Sequence, residues 1–163
     1  MSADIGTLAA AALDAARMAG LTIAAVESCT GGMVMAALTA IPGSSSVAER
    51  GFVTYSNEAK AEMVGVPMAL IEAHGAVSEE VARAMVDGAL AIAPVGLAVS
   101  VTGVAGPGGS AFKPEGRVCF AVRRRGGAMR ALTEEFGALG RAEVRAAATR
   151  RALELLRDAA LPA

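Results

Sequence analysis

A chain of 163 residues has the length of one domain and can bury a sizeable core without disulfide or metal support. Its 15 basic and 16 acidic residues leave a formal net charge of −1, which speaks against nucleic acid or an anionic membrane as partner. Aromatic residues make up 3% and tryptophan is absent, so the core must be built from Ala, Val, Leu, Ile and Met.

Residues 3–19 place Ile5, Leu8, Ala9, Ala12, Leu13 and Ala16 on one face at helical spacing, and Gly20 stops the helix. LTIAAVE (21–27) has no helical period and predicts a buried strand. TGGMVMAALTAI (30–41) predicts a helix capped by Thr30 and ended by Pro42-Gly43. RGFVTYS (50–56) predicts a second strand, and Asn57 caps a short helix reaching Val64. A further short helix is expected at Ala69–Ala73. Ser78 caps a longer one, with Glu79 and Glu80 at the positive end of its dipole and Val81, Met85, Ala89 and Ile92 inward.

VGLAVSVTG (95–103) predicts the third strand, followed by the loop VAGPGGSAFKPEG. RVCFAVRR and MRALTEEF pair through Gly126-Gly127 as a hairpin, with Arg123, Arg124 and Arg125 at its solvated end. Residues 141–158 form the last helix, with Val144, Ala147, Ala148 and Leu155 inward. This order predicts one α/β domain over residues 1–163. Its architecture is a three-layer α/β/α sandwich with a mixed, mostly parallel sheet and a C-terminal β-hairpin.

Residues 89–112 carry no charge, which is long enough to suggest a membrane span. Pro94, Gly96, Gly103 and the run Gly106-Pro107-Gly108-Gly109 break it into a helix end, a strand and a loop. The N-terminus has no basic segment, and Asp4 and Asp14 interrupt its alanines, so no signal peptide is read and a cytoplasmic location is expected. Cys29 and Cys119 have neither metal nor redox spacing, and no His/Cys/Asp cluster has ligand spacing, so neither metal nor cofactor is expected.

Three strands end in loops rich in small polar residues: Ser28-Cys29-Thr30-Gly31-Gly32, Tyr55-Ser56-Asn57, and Thr102 through Gly109. If the three strands are parallel neighbours, these loops line one crevice, the usual ligand site of an open α/β sheet. Ser28 and Cys29 are adjacent candidate nucleophiles before a helix start whose first amides can hold an oxyanion or a phosphate. A plain capped turn explains the segment equally well. Lys60 falls in the first turn of a helix, where the dipole and burial both favour the neutral amine, a competent base. An ordinary surface lysine is the competing reading. The segment GVAGPGG (103–109) is neither a dinucleotide fingerprint nor a Walker loop; it reads as a wrapping loop. Thr102 either bonds substrate or caps the turn. His74, the only histidine, looks like a helix-end residue rather than a triad member.

The segments AVESCTGG (25–32), GSSSVAERGFVTYSNEAK (43–60), HGAVSEEVARAM (74–85), VSVTGVAGPGG (99–109) and KPEGRVCFAV (113–122) resemble the CinA C-terminal domain family, the nicotinamide-nucleotide amidohydrolases, in its stand-alone form. The resemblance implies hydrolysis of the carboxamide of nicotinamide mononucleotide to nicotinic acid mononucleotide and ammonia. It implies a Ser28–Lys60 nucleophile and base pair without cofactor or metal, with Tyr55 as a third catalytic residue and Thr102 in the pocket. Substrate contacts are expected from Thr30, Gly31, Gly32, Thr102, Gly103, Ala105, Gly106, Gly108 and Arg141. The family's usual Asp-Arg pair is replaced by Gly140-Arg141, which leaves Arg141 and Arg145 as candidates for that role. Two alternatives stand beside this reading: a Cys29 amidohydrolase assisted by Glu27 and Lys60, and a non-catalytic nucleotide-binding domain. The alanine-rich apolar surface suggests a homodimer or higher homo-oligomer.

Overall fold

A computed structural model describes residues 3–162. The described chain runs α1 (Ile5–Met18), β1 (Ile23–Glu27), α2 (Met33–Thr39), β2 (Ala48–Val53), α3 (Asn57–Val64), α4 (Met68–His74), α5 (Glu79–Ile92), β3 (Leu97–Gly103), β4 (Arg117–Arg124), β5 (Arg130–Glu135) and α6 (Arg141–Ala160). The strands form one sheet in the order β2-β1-β3-β4-β5. β1 lies parallel to both β2 and β3, while β4 is antiparallel to β3 and β5. β4 alone runs against the other four. The expected α/β fold with a mixed sheet is therefore present, and β1, β2 and β3 end on the same edge.

Strand alternation sorts the apolar residues into two cores. Ile23, Ala25, Val99 and Val101 face α1, α2 and α6, together with Leu13, Leu153 and Phe120. Ala24, Val26 and Ala98 face the opposite way, onto Val81, Met85 and Ala89 of α5 and Val64 of α3. With a helical layer on each face, β1 is buried along its whole length, as its unbroken apolar run predicts. No helix among the described residues is long and apolar enough to cross a membrane.

Several boundaries differ from the sequence expectation. β2 begins at Ala48 and ends at Val53, so the chain turns three residues earlier than the apolar run suggested. Ser56, not Asn57, caps α3: its side chain accepts from the Ala59 N–H at 3.0 Å. Both residue types cap well, and the earlier strand end decides between them. α2 starts at Met33 with Gly32 as its cap, after two glycines in the left-handed region, rather than directly after a Thr30 cap. Ile92 is half exposed at the end of α5. The arginine cluster at the hairpin is not simply solvated. Arg125 donates to the carbonyls of Leu90, Ala93 and Val95, and so closes the C-terminal end of α5.

α3 sits close to α5 because α5 carries Gly88 at the crossing. A Cβ there would lie 1.8 Å from the Val64 carbonyl oxygen. That approach fixes the depth of α3, whose buried residues are Lys60 and Val64, one turn apart.

Candidate active site

The alternation that builds the cores also separates the two candidate nucleophiles. Ser28 follows Glu27 at the end of β1 and shares the face of Val26, toward α3 and α5. Glu27 and Cys29 share the other face, toward α2 and α6, and Cys29 belongs to that core. The Ser28 N–H donates to Val101 O at 2.9 Å, which extends the β1–β3 ladder and sets Ser28 beside Thr102.

α3 brings Lys60 beneath this point. Lys60 Nζ lies 3.1 Å from Ser28 Oγ, and it donates to Thr54 O at 2.8 Å and Tyr55 O at 3.3 Å. The side chain is 1% exposed. No carboxylate pairs with it among the described residues. Burial without a counter-ion lowers its pKa to about 8. With Ser56 as cap, Lys60 stands at the fourth helical position instead of the third; desolvation rather than the helix dipole is the main cause of the shift.

Ser28, Lys60, Tyr55, Thr102, Gly103, Ala105 and Arg141 line one cleft of about 280 Å3. Cys29 and Asn57, both on loops expected to line the crevice, do so as well; sequence reasoning missed Ala76 and Val77, whose types carry no mark. The Tyr55 hydroxyl accepts from Arg141 Nη2 at 3.0 Å, and Arg141 Nη1 donates to Gly106 O at 2.7 Å. Arg141 thus ties α6, the wrapping loop and the turn before α3 together across the cleft. The Thr102 hydroxyl donates to Ala76 O at 2.8 Å and holds the α4–α5 connection against β3.

Thr30, Gly31, Gly32, Gly106 and Gly108 do not line the cleft. Thr30 is fully buried, and its hydroxyl donates to Glu27 Oε1 at 2.7 Å. The Gly31 N–H bonds to Ser28 O. The Gly32 N–H donates to Glu27 Oε1 at 3.2 Å, so the start of α2, expected to face a ligand, is already taken by the chain's own carboxylate. Glu115, which the sequence did not single out, takes the Gly108 N–H at 2.6 Å and the Gly140 N–H at 3.0 Å. Its side chain lies where a Cβ on Gly106 would stand, 2.5 Å from the carboxyl carbon. Arg145 faces the turn after Ser28 rather than the cleft, donating from Nε to Cys29 O at 3.0 Å.

The Cys29 thiol is pushed up to about 12, with desolvation outweighing the nearby Arg145 charge. The side chain of Glu27 is occupied by donors from α2 and the turn before it, and so is not placed as a base for that thiol. His74 ends α4 and lies 3.8 Å from Glu80, outside the cleft lining. No group of three or more His, Cys, Asp or Glu side chains among the described residues could hold a metal ion.

The CinA C-terminal domain family matches residues 5–160. A CinA-like protein of Mycobacterium sp. (strain JLS) is 51% identical over 147 residues, 89% of this chain and 34% of that protein. A CinA-like protein of Synechococcus sp. (strain CC9902) is 46% identical over 156 residues, 94% of this chain and 37% of that protein. The chain thus spans about a third of the length of these curated relatives. Among solved structures, the competence/damage inducible protein CihA from Agrobacterium tumefaciens superposes with a TM-score of 0.92 at 43% identity, covering 98% of both chains. A CinA superfamily protein from Klebsiella pneumoniae gives 0.92 at 31% identity, covering 97% of this chain and 98% of that one. Matched in sequence over residues 5–160 and in fold over nearly its full length, the chain belongs to the CinA C-terminal domain family.

Proposed function

We propose that this chain hydrolyses the carboxamide of nicotinamide mononucleotide through a Ser28 acyl-enzyme, with Lys60 as the base. The observation that carries the reading is the 3.1 Å approach of a buried, counter-ion-free amine to the Ser28 hydroxyl. A lysine with a pKa near 8 keeps about a tenth of its population neutral at pH 7, enough to accept a proton, where an amine at 10.5 keeps well under a thousandth. Neutral Lys60 takes the Ser28 proton as Oγ attacks the carboxamide carbon. The resulting ammonium then protonates the leaving nitrogen, and ammonia departs. Water, deprotonated by Lys60, adds to the ester and releases the pyridine carboxylate with Ser28 restored.

Two expectations about substrate contacts are revised. The Thr30–Gly32 segment is filled by Glu27, so it holds neither oxyanion nor phosphate in this reading. The Ser28 carbonyl accepts from Gly31, which turns the Cys29 N–H of the same planar peptide to the opposite side. That N–H, on a residue lining the cleft, is the oxyanion donor this mechanism uses. The 5′-phosphate goes to Arg141, whose guanidinium keeps three of its five N–H donors after its bonds to Tyr55 and Gly106.

Ser28 Oγ meets Lys60 while Cys29 packs into the core under α2 and α6 with a raised pKa, which favours Ser28 over the thiol as nucleophile. Ammonia release from nicotinamide mononucleotide tests the reading. Wild type should turn over, Ser28→Ala and Lys60→Ala should lose at least 1,000-fold, roughly the loss when a member of a nucleophile–base pair is removed. Cys29→Ala should stay within about threefold, because the thiol takes no part. Nucleotide binding without ammonia in wild type would leave only a binding domain. Loss of turnover in Cys29→Ala alone would move the chemistry to the thiol.

A further inference from the structure

Glu27 takes no part in the chemistry above, yet its carboxylate is 1% exposed and has four donors. Oε1 accepts from the Thr30 hydroxyl at 2.7 Å, the Gly32 N–H at 3.2 Å and the Val34 N–H at 2.9 Å; Oε2 accepts from the Met35 N–H at 3.1 Å. No cation pairs with it among the described residues; the charge is held by the first amides of α2. Those amides have no partner within the helix, and the side chain of the residue immediately before Ser28 takes them.

The backbone between Ser28 and α2 is an unusual path. Gly31 and Gly32 stand at φ 57° and 108°, so two successive residues adopt the left-handed region. The turn has two backbone bonds of its own, from the Gly31 N–H to Ser28 O and from the Met33 N–H to Thr30 O, both 3.0 Å. Glu27 gathers it from within, and Arg145 of α6 grips it from outside through Cys29 O at 3.0 Å and Thr30 O at 3.3 Å. Neither Glu27 nor Arg145 lines the cleft. They meet on Thr30, and between them they hold Cys29, Thr30 and Gly32 of the turn that follows Ser28.

We propose that Glu27 is the positioning residue of the nucleophile. With Arg145 as its counterpart, it fixes the exit of the chain from β1 so that Ser28 Oγ stays on Lys60 Nζ. The proposal rests on the amidase reading for its substrate, but its content is the placement of Ser28. In Glu27→Gln the amide can keep the partners of Oε1 while its NH2 opposes the Met35 N–H, donor against donor. The grip on α2 slackens without a change in size. A displacement of the reacting atom by about 1 Å costs on the order of 100-fold in rate.

The experiment compares wild type, Glu27→Gln, Arg145→Met and the control Ser100→Ala. Ser100 is a fully buried hydroxyl that donates to Ala82 O at 2.7 Å, away from the turn. Three quantities are read: urea stability, kcat and KM for ammonia release, and the rate at which a fluorophosphonate labels Ser28, followed by mass spectrometry. Glu27→Gln and Arg145→Met should each lower kcat and the labelling rate by about 10- to 100-fold with KM within about threefold. Ser100→Ala should lose stability while keeping both rates. Arg145→Met, at a half-buried site on a long helix, keeps the test decisive if Glu27→Gln fails to fold. Unchanged labelling in either folded variant overturns the proposal, as does a rise in KM alone for Arg145→Met, which would make Arg145 a substrate contact. The two readings separate on wild type. Normal labelling without ammonia removes the substrate and leaves the positioning role standing, whereas a wild type that is not labelled overturns both.

Discussion

Replacing Lys60 by Met should remove one alkaline gain in the protein's stability. In the folded chain burial holds the amine near 8; in the unfolded chain it returns to 10.5. That difference corresponds to about 3 kcal/mol between the protonated and neutral forms. Below pH 8 both states carry the proton, and the folded state bears the whole cost of a buried charge. Between 8 and 10.5 the unfolded chain binds more protons than the folded one, so stability rises with pH. Above 10.5 both are neutral and the cost is gone. Met keeps the length of the side chain and removes the titration, but it leaves Thr54 O without its donor, at about 1–3 kcal/mol, while Tyr55 O keeps the Ser28 hydroxyl at 3.4 Å. The absolute stability of Lys60→Met at pH 7 is therefore a near balance. The decisive quantity is the difference between the two proteins as pH changes, because every other titrating group is common to both. Urea unfolding followed by far-UV circular dichroism suits a chain without tryptophan. Wild type should gain about 2–3 kcal/mol on Lys60→Met between pH 7 and pH 10. A flat difference would show that the amine is not desolvated, and the argument for Lys60 as a neutral base would fail with it.

The same amine sets the activity profile: kcat/KM for ammonia release should climb with pH to a plateau, with a midpoint near 8, and a bell centred below 7 would contradict the assignment. Gly88→Ala should cost about 3 kcal/mol, because its methyl meets the Val64 carbonyl oxygen at 1.8 Å, and thermal unfolding checks this. The variant should also lose activity, since α3 must move and it carries Lys60. Arg141→Ala should raise KM at least tenfold with a smaller change in kcat, the signature of a lost charge-assisted contact to the phosphate. A nucleoside lacking that phosphate should be insensitive to the change.

The parts of the site that sequence could carry are those fixed by period and by strand ends. β1 is a continuous apolar run, so its burial on both faces and the position of Ser28 at its exit follow from the residues alone. The alternation of that strand already places Ser28 and Cys29 on opposite faces; Cys29 packs into the core under α2 and α6, and Ser28 meets Lys60 of α3. Cap register was less legible. Ser56 and Asn57 are both good caps, and only the true end of β2 at Val53 selects the first. Ile92 fitted the helical face of α5 but falls in its last turn, where the neighbouring layer ends.

Glu27 was hidden for a different reason. An acidic residue ending a buried strand looks like an anomaly to be solvated or used as a base, and one-dimensional spacing does not say which N–H groups a carboxylate will meet. The signal was present in a weaker form: an acid followed, five residues on, by a second glycine and a helix start implies a negative group near free amides. Following that implication changes the reading of the whole hexapeptide Glu27–Gly32. Its glycines do not open the backbone to a ligand. They let the chain fold back onto its own carboxylate, while Ser28, Lys60 and Arg141 line a separate cleft that none of Thr30, Gly31 and Gly32 enters. The Gly-Gly pair is then a device for holding a serine still, and its replacement by alanine at Gly32, where a Cβ meets nothing closer than Val53 at 3.8 Å, should harm through φ alone.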